Sequence, residues 1–105
     1  MRIITHDDGR CLTLRLVGEL DHAAAQTVMP GIEDAVEEYL PRRCVLDLTG
    51  VSFMDSSGIG VIMGRYKRIY MLGGEVCAVH TSERMKKILT MSGVTRIMQI
   101  YEEDR

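Results

Sequence analysis

Hydrophobic positions along this chain alternate, then cycle, then alternate again. Over residues 11–17, Leu12, Leu14 and Leu16 take turns with Cys11, Thr13 and Arg15. A period of two is that of a strand with one covered face and one wetter face. A shorter apolar segment, residues 2–5, precedes it, and Asp8-Gly9 between them signals a tight hairpin turn. The spacing then changes. Ala25, Val28, Ile32, Ala35, Val36 and Tyr39 share one face of a helix that Asp21 caps and Pro41 closes. Pro30 falls inside it, where it removes a backbone bond and crowds the preceding turn, so a kink or a late start is expected there. Residues 44–48 read as a buried third strand. A helix over about residues 56–72 follows, with Ile59, Ile62, Tyr66 and Ile69 toward the sheet and Gly73-Gly74 ending it. Residues 75–80 read as a fourth strand. Ser82 caps a third helix over residues 83–92, with Met85, Ile88 and Leu89 inward and Gly93 at its end. Residues 96–101 read as a fifth strand, and residues 102–105 form a charged tail.

The order β-β-α-β-α-β-α-β predicts an α/β fold in one domain, residues 1–105. The sheet is expected to be five-stranded and mostly parallel, with the first strand antiparallel. Strands added in sequence order through right-handed crossovers put the three helices largely on one face. In open sheets of this kind, sites form at the carboxyl ends of the strands. The turn at residues 18–22 and the loop at residues 51–58 both leave such ends, so the two are expected to be neighbours in space.

Composition narrows the function classes. Four Tyr, one Phe, no Trp and eight Met predict an aliphatic core with Met filling irregular gaps. A formal net charge of −2 with so few aromatics argues against a nucleic-acid binder. No apolar run of membrane-spanning length and no signal segment is visible, which predicts a cytoplasmic protein with no membrane partner. Cys11, Cys44 and Cys77 are odd in number, far apart and each within a predicted strand, so buried reduced thiols are expected in place of a disulfide or a metal site.

The candidate chemistry gathers at the start of the second helix, near Asp55 or Ser56. The first backbone N–H groups of a helix lack internal partners, and the macrodipole adds partial positive charge. Ser56 and Ser57 can therefore act as caps or as phosphoryl acceptors, and for two serines at a helix start capping is the commoner role. Asp21, Asp47 and Asp55 admit two readings. One is an acidic metal pocket for phosphoryl chemistry; the other is two helix caps and a local backbone bond, the commoner use of carboxylates at turns. His6, His22 and His80 lack ligand spacing, and there is no nucleophile elbow or P-loop, so a hydrolytic triad is not expected. Arg65, Lys67 and Arg68, with Arg84, Lys86 and Lys87, are read as solvated helix faces. Gly58, Gly60 and Gly64 are each costly in a helix, by about 1 kcal/mol relative to Ala. Their spacing suits either close packing on the sheet or a docking face.

The stretch Met54-Asp55-Ser56-Ser57-Gly58-Ile59-Gly60-Val61-Ile62-Met63-Gly64-Arg65-Tyr66-Lys67 closely resembles the signature of bacterial anti-sigma factor antagonists, the stand-alone STAS domains, and is most similar to the sporulation type. Gly18-Glu19-Leu20-Asp21-His22, Gly73-Gly74-Glu75 and Met91-Ser92-Gly93 match further family segments in order. The resemblance implies a non-enzyme without cofactor or metal. It implies an unmodified form that binds an anti-sigma factor, itself a serine kinase, and so frees a sigma factor. Phosphorylation by that kinase, using its own ATP, is implied at Ser56, with a phosphoserine phosphatase restoring binding. Gly18, Asp21, His22, Asp55, Ser57, Gly58 and Gly60 match family regions that contact the kinase. Two other outcomes stay open: a STAS partner-switching or ligand-binding regulator with a non-sigma output, and a small metal-dependent phosphatase using Asp47 and Asp55. Sporulation-type members also carry a helix after the last strand, for which only residues 102–105 remain, so that helix is expected to be absent, very short or trimmed away.

Overall fold

The computed structural model describes residues 1–80 and 82–102. Its elements run β1 (Arg2–Asp8), β2 (Cys11–Leu20), α1 (His22–Tyr39), β3 (Arg43–Met54), α2 (Ser56–Met71), β4 (Glu75–His80), α3 (Glu83–Met91), a 3-10 turn (Val94–Arg96) and β5 (Gln99–Glu102). The five strands lie side by side in sequence order. β1 and β2 form the antiparallel hairpin that Asp8-Gly9 announces, with Gly9 at φ 66°, and every later pair is parallel. The α/β architecture expected from the pattern is therefore the one observed.

The alternation explains the core. Register pairs Leu12 with Cys44 and Cys44 with Val76, then Leu14 with Leu46 and Leu46 with Ala78, so these side chains share one sheet face. All of them are buried in a single cluster with Val28, Ile32 and Val36 of α1, Ile62 and Ile69 of α2, and Met85 and Leu89 of α3. The three helices thus cover one face. On the other, Thr13, Val45, Asp47 and Val79 are half-buried and Arg15 is exposed. All three cysteines are free thiols, with Cys44 and Cys77 buried and Cys11 half-buried. Burial, with a smaller push from Cys77, drives the Cys44 thiol up to about 12.

Several expectations are corrected. β2 and β3 are longer than their apolar runs, because residues 17–20 pair with residues 50–54 instead of looping out. Gly50 makes that pairing feasible: a Cβ there would lie 3.0 Å from Val17 Cγ2 and 3.1 Å from the Leu16 carbonyl. α1 starts at His22 and runs past Pro30, so there is no late start. Pro30 is exposed and gives up one bond, while buried Ala25, Val28, Ile32, Ala35 and Val36 hold the helix on both sides of it. Tyr39, expected inward, is exposed.

The buried arc of α2 also differs from the expected stripe. Val61 and Arg65 are buried, whereas Ile59 and Tyr66 are only half-buried. α2 packs against α1 as well as the sheet, so its covered sector is wider and rotated toward α1. Arg65 is therefore no part of a solvated face. It pairs with Glu33 of α1 at 3.2 Å, and its Nε and Nη1 have no partner among the described residues. In α3, Ile88 is half-buried, not core. Residues 94–98 close a helical turn, with the Met98 amide donating to the Val94 carbonyl at 3.2 Å, so β5 begins later than expected. Of the charged tail, Glu102 ends β5, and residues 103–105 lie outside the described residues.

Candidate functional site

Two strands end together. Gly18 pairs with Val51 and Leu20 with Met54, and the Asp55 amide donates to the Leu20 carbonyl at 3.4 Å. One residue later in each segment a helix begins. The N-termini of α1 and α2 therefore open side by side at the carboxyl edge of β2 and β3. The segments expected to be spatial neighbours are so, but as strand ends with one-residue connections, not as loops. Gly18 sits at φ 123° beside a register shift, a backbone state that its lack of a Cβ permits.

Each mouth is closed by an aspartate. Asp21 Oδ1 accepts from the Ala24 amide at 2.8 Å. Asp55 Oδ1 accepts from the Ser57 amide at 2.9 Å and from the Gly58 amide at 3.3 Å. Both are caps in the sense the sequence suggested. Asp47 lies well short of the end of β3 and is taken up locally, accepting from the Thr49 amide at 3.0 Å and the Thr49 hydroxyl at 2.6 Å. The acidic trio is thus not gathered at one strand end. Among the described residues no group of three or more His, Cys, Asp and Glu side chains could hold a metal ion.

The two serines occupy different surroundings. Ser56, the first helical residue, is exposed, and its hydroxyl has no hydrogen-bond partner among the described residues. Ser57 is half-buried, and its Oγ lies 3.1 Å from Nδ1 of His22, the first residue of α1. His22 and Ser57 thus bridge the mouths. Gly58 locks them from below. A Cβ on it would run into Met54 Cγ and come within 2.9 Å of Leu20 Cγ and the Leu20 carbonyl.

A Cβ on Gly60 or on Gly64 would meet nothing within 4 Å. Packing therefore accounts for Gly58, whereas Gly60 and Gly64 leave bare helix surface. Ser56, Gly60 and Met63 fall at i, i+4 and i+7, one stripe of the helix. Gly60 and Met63 are exposed, as is Phe53 at the end of β3, with the Arg84 guanidinium 6.0 Å from its ring. Phe53 and Met63 went unnoticed in the sequence, although the spacing from Ser56 marks Met63. A separate cavity of about 510 Å³, lined in part by Arg43, Tyr70, Arg96 and Tyr101, lies toward the amino ends of β3 and β4 and shares no residue with the mouths.

With this geometry in hand, likeness to known proteins is informative. Residues 2–104 match the model of the STAS domain family. An anti-sigma F factor antagonist of Paenibacillus polymyxa is 41% identical over 93 residues, covering 89% of this chain and 80% of that protein. An anti-sigma F factor antagonist of Lysinibacillus sphaericus is 34% identical over 94 residues, covering 90% and 80%. The solved structure of the Bacillus cell fate determinant SpoIIAA in its phosphorylated form superposes with a TM-score of 0.72 at 27% identity, covering 94% of this chain and 90% of that one.

Proposed function

The chain belongs to the STAS domain family, and from that premise we propose that it is an anti-sigma factor antagonist whose docking is governed by phosphorylation of Ser56. Unmodified, it binds an anti-sigma factor that is also a serine kinase, and a sigma factor is released. The names of the relatives make a sigma factor of the F type, and hence a sporulation setting, the first candidate. The kinase moves the γ-phosphoryl group of its ATP to Ser56 Oγ; the serine proton leaves and ADP departs. A phosphoserine phosphatase reverses the change. The protein acts in the cytoplasm as a regulator, not a catalyst; among the described residues no helix is long and apolar enough to cross a membrane.

One observation carries this reading: a lone exposed hydroxyl stands at the first helical position of a capped mouth, on a stripe of helix surface that its own fold leaves bare. A phosphate there adds about −1.5 to −2 charge. On the free domain the helix start favours that charge by about 0.3–1 kcal/mol, so the fold persists. Against a partner the charge must shed water beside Asp55 and Asp21, and docking suffers. A hundredfold loss of affinity needs only about 2.8 kcal/mol. Gly60 lets a partner approach the helix backbone, and Met63 and Phe53 supply apolar contact.

Affinity capture from the native host with Ser56→Ala and Ser56→Asp baits tests the proposal. The alanine form is expected to retain an ATP-binding anti-sigma factor and the aspartate form to lose it. Equal retention by both would reject the switch. Retention of a partner with no link to a sigma factor would replace the output while keeping the hydroxyl.

A further inference from the structure

Two adjacent hydroxyls present a kinase with a choice. We propose that His22 is a positioning residue that holds Ser57 back and so confines phosphorylation to Ser56. The inference rests on Ser56 being the acceptor, and it adds how the fold selects that serine.

Ser57 is restrained at both ends. Its amide donates to Asp55 Oδ1 at 2.9 Å, and its Oγ lies 3.1 Å from His22 Nδ1. The restraint does not depend on which ring nitrogen carries the proton. With a proton on Nδ1 the imidazole donates to a lone pair of Oγ; with Nδ1 bare it accepts the hydroxyl proton. In both states Oγ points across to α1, in a solvent-exposed contact that joins the two mouths. Phosphoryl transfer needs the attacking oxygen in line with the bond that breaks, within a few tenths of an ångström of a productive position. Ser57 must first abandon His22 and swing outward. Ser56 has no such contact to break.

The histidine is not a cap in this geometry, because Asp21 serves α1. Nor does it act as a base for Ser56, since its side-chain bond is to the neighbouring serine. What it supplies is a difference between two otherwise similar hydroxyls. Breaking one neutral hydrogen bond of this kind is worth roughly three- to tenfold in rate.

The test is site-resolved mass spectrometry after incubation of the full chain with its anti-sigma factor kinase and ATP. Wild type is expected to carry phosphate mainly on Ser56, with a minor share on Ser57. In His22→Ala the share on Ser57 is expected to rise roughly three- to tenfold. Comparing two serines of one molecule cancels any loss of docking caused by the substitution. In a Ser56→Ala background, adding His22→Ala is expected to speed labelling of Ser57 by a similar factor, and His22→Gln, which keeps a hydrogen-bonding side chain, to restrain it again. A kinase-free readout is the 15N spectrum of the His22 ring, expected to shift at Nδ1 on Ser57→Ala. Label confined to Ser56 in both wild type and His22→Ala, or an unmoved Nδ1 signal, would overturn the positioning role and leave the acceptor intact. Wild-type label mainly on Ser57, or on neither serine, would overturn the acceptor assignment and this role with it.

Discussion

The two helix mouths are built alike and used differently. Each follows a long strand, each is capped by an aspartate one residue beyond the strand end, and each starts a helix of at least four turns. α1 opens with His22 and three alanines, of which Ala23 is exposed, Ala24 half-buried and Ala25 packed in the core. α2 opens with Ser56, Ser57 and Gly58: a free hydroxyl, a tethered one and a residue that admits no side chain. The same backbone device thus yields an anchoring end and a chemically addressable end. What separates them is three residues, not a separate pocket or loop.

Replacing Gly58 with Ala should blunt the difference most. The new methyl has Leu20 and Met54 in its way, so unfolding in urea is expected to show a loss of about 3 kcal/mol. A loss below about 1 kcal/mol would mean the mouths can slide apart cheaply. Glu33→Ala comes next. It leaves the Arg65 guanidinium buried without its carboxylate, but Glu33 is about half exposed, so the expected cost is reduced to about 1–2 kcal/mol. The caps follow. Asp55 satisfies two amides and Asp21 one, so Asp55→Ala should cost about 1.5 kcal/mol and Asp21→Ala about 1 kcal/mol. Asp55→Asn adds a finer test. If Asp55 only caps, stability moves and the rate of Ser56 phosphorylation does not; a fall in rate larger than the stability change would give it a share in presenting the hydroxyl. Gly64→Ala is the smallest effect and has the opposite sign. With open space around it, the methyl should stabilise α2 by about 0.5–1 kcal/mol.

Alternation and helical spacing carried most of the fold. Leu12, Leu14 and Leu16 identified a strand and its buried face, and Asp8-Gly9 placed the first turn. The caps Asp21, Asp55 and Ser82 stood where a polar residue precedes a helical pattern. The strand extension of β3 was hidden because Thr49, Gly50 and Ser52 have loop composition, and only the pairing of residues 50–54 with residues 17–20 makes the segment strand. Pairing between distant segments has no local signal. Arg65 was misplaced for a similar reason. Charge argues for solvent, yet Val61 and Ile69 flank it at four-residue spacing, and packing of α1 over α2 overrides the charge. At the site, the hydroxyl pair and both aspartates were visible in the sequence. The bridge from His22 to Ser57 was not, since it joins residues 35 positions apart.

The central claim is that one exposed hydroxyl at the mouth of α2 decides whether a partner can dock. Calorimetric titration of the anti-sigma factor with this chain, unmodified and then stoichiometrically phosphorylated on Ser56, measures that directly. The account predicts a Kd at least about a hundredfold higher for the phosphorylated form, about 2.8 kcal/mol, with the far-ultraviolet circular dichroism unchanged. Equal Kd values for the two forms would contradict it.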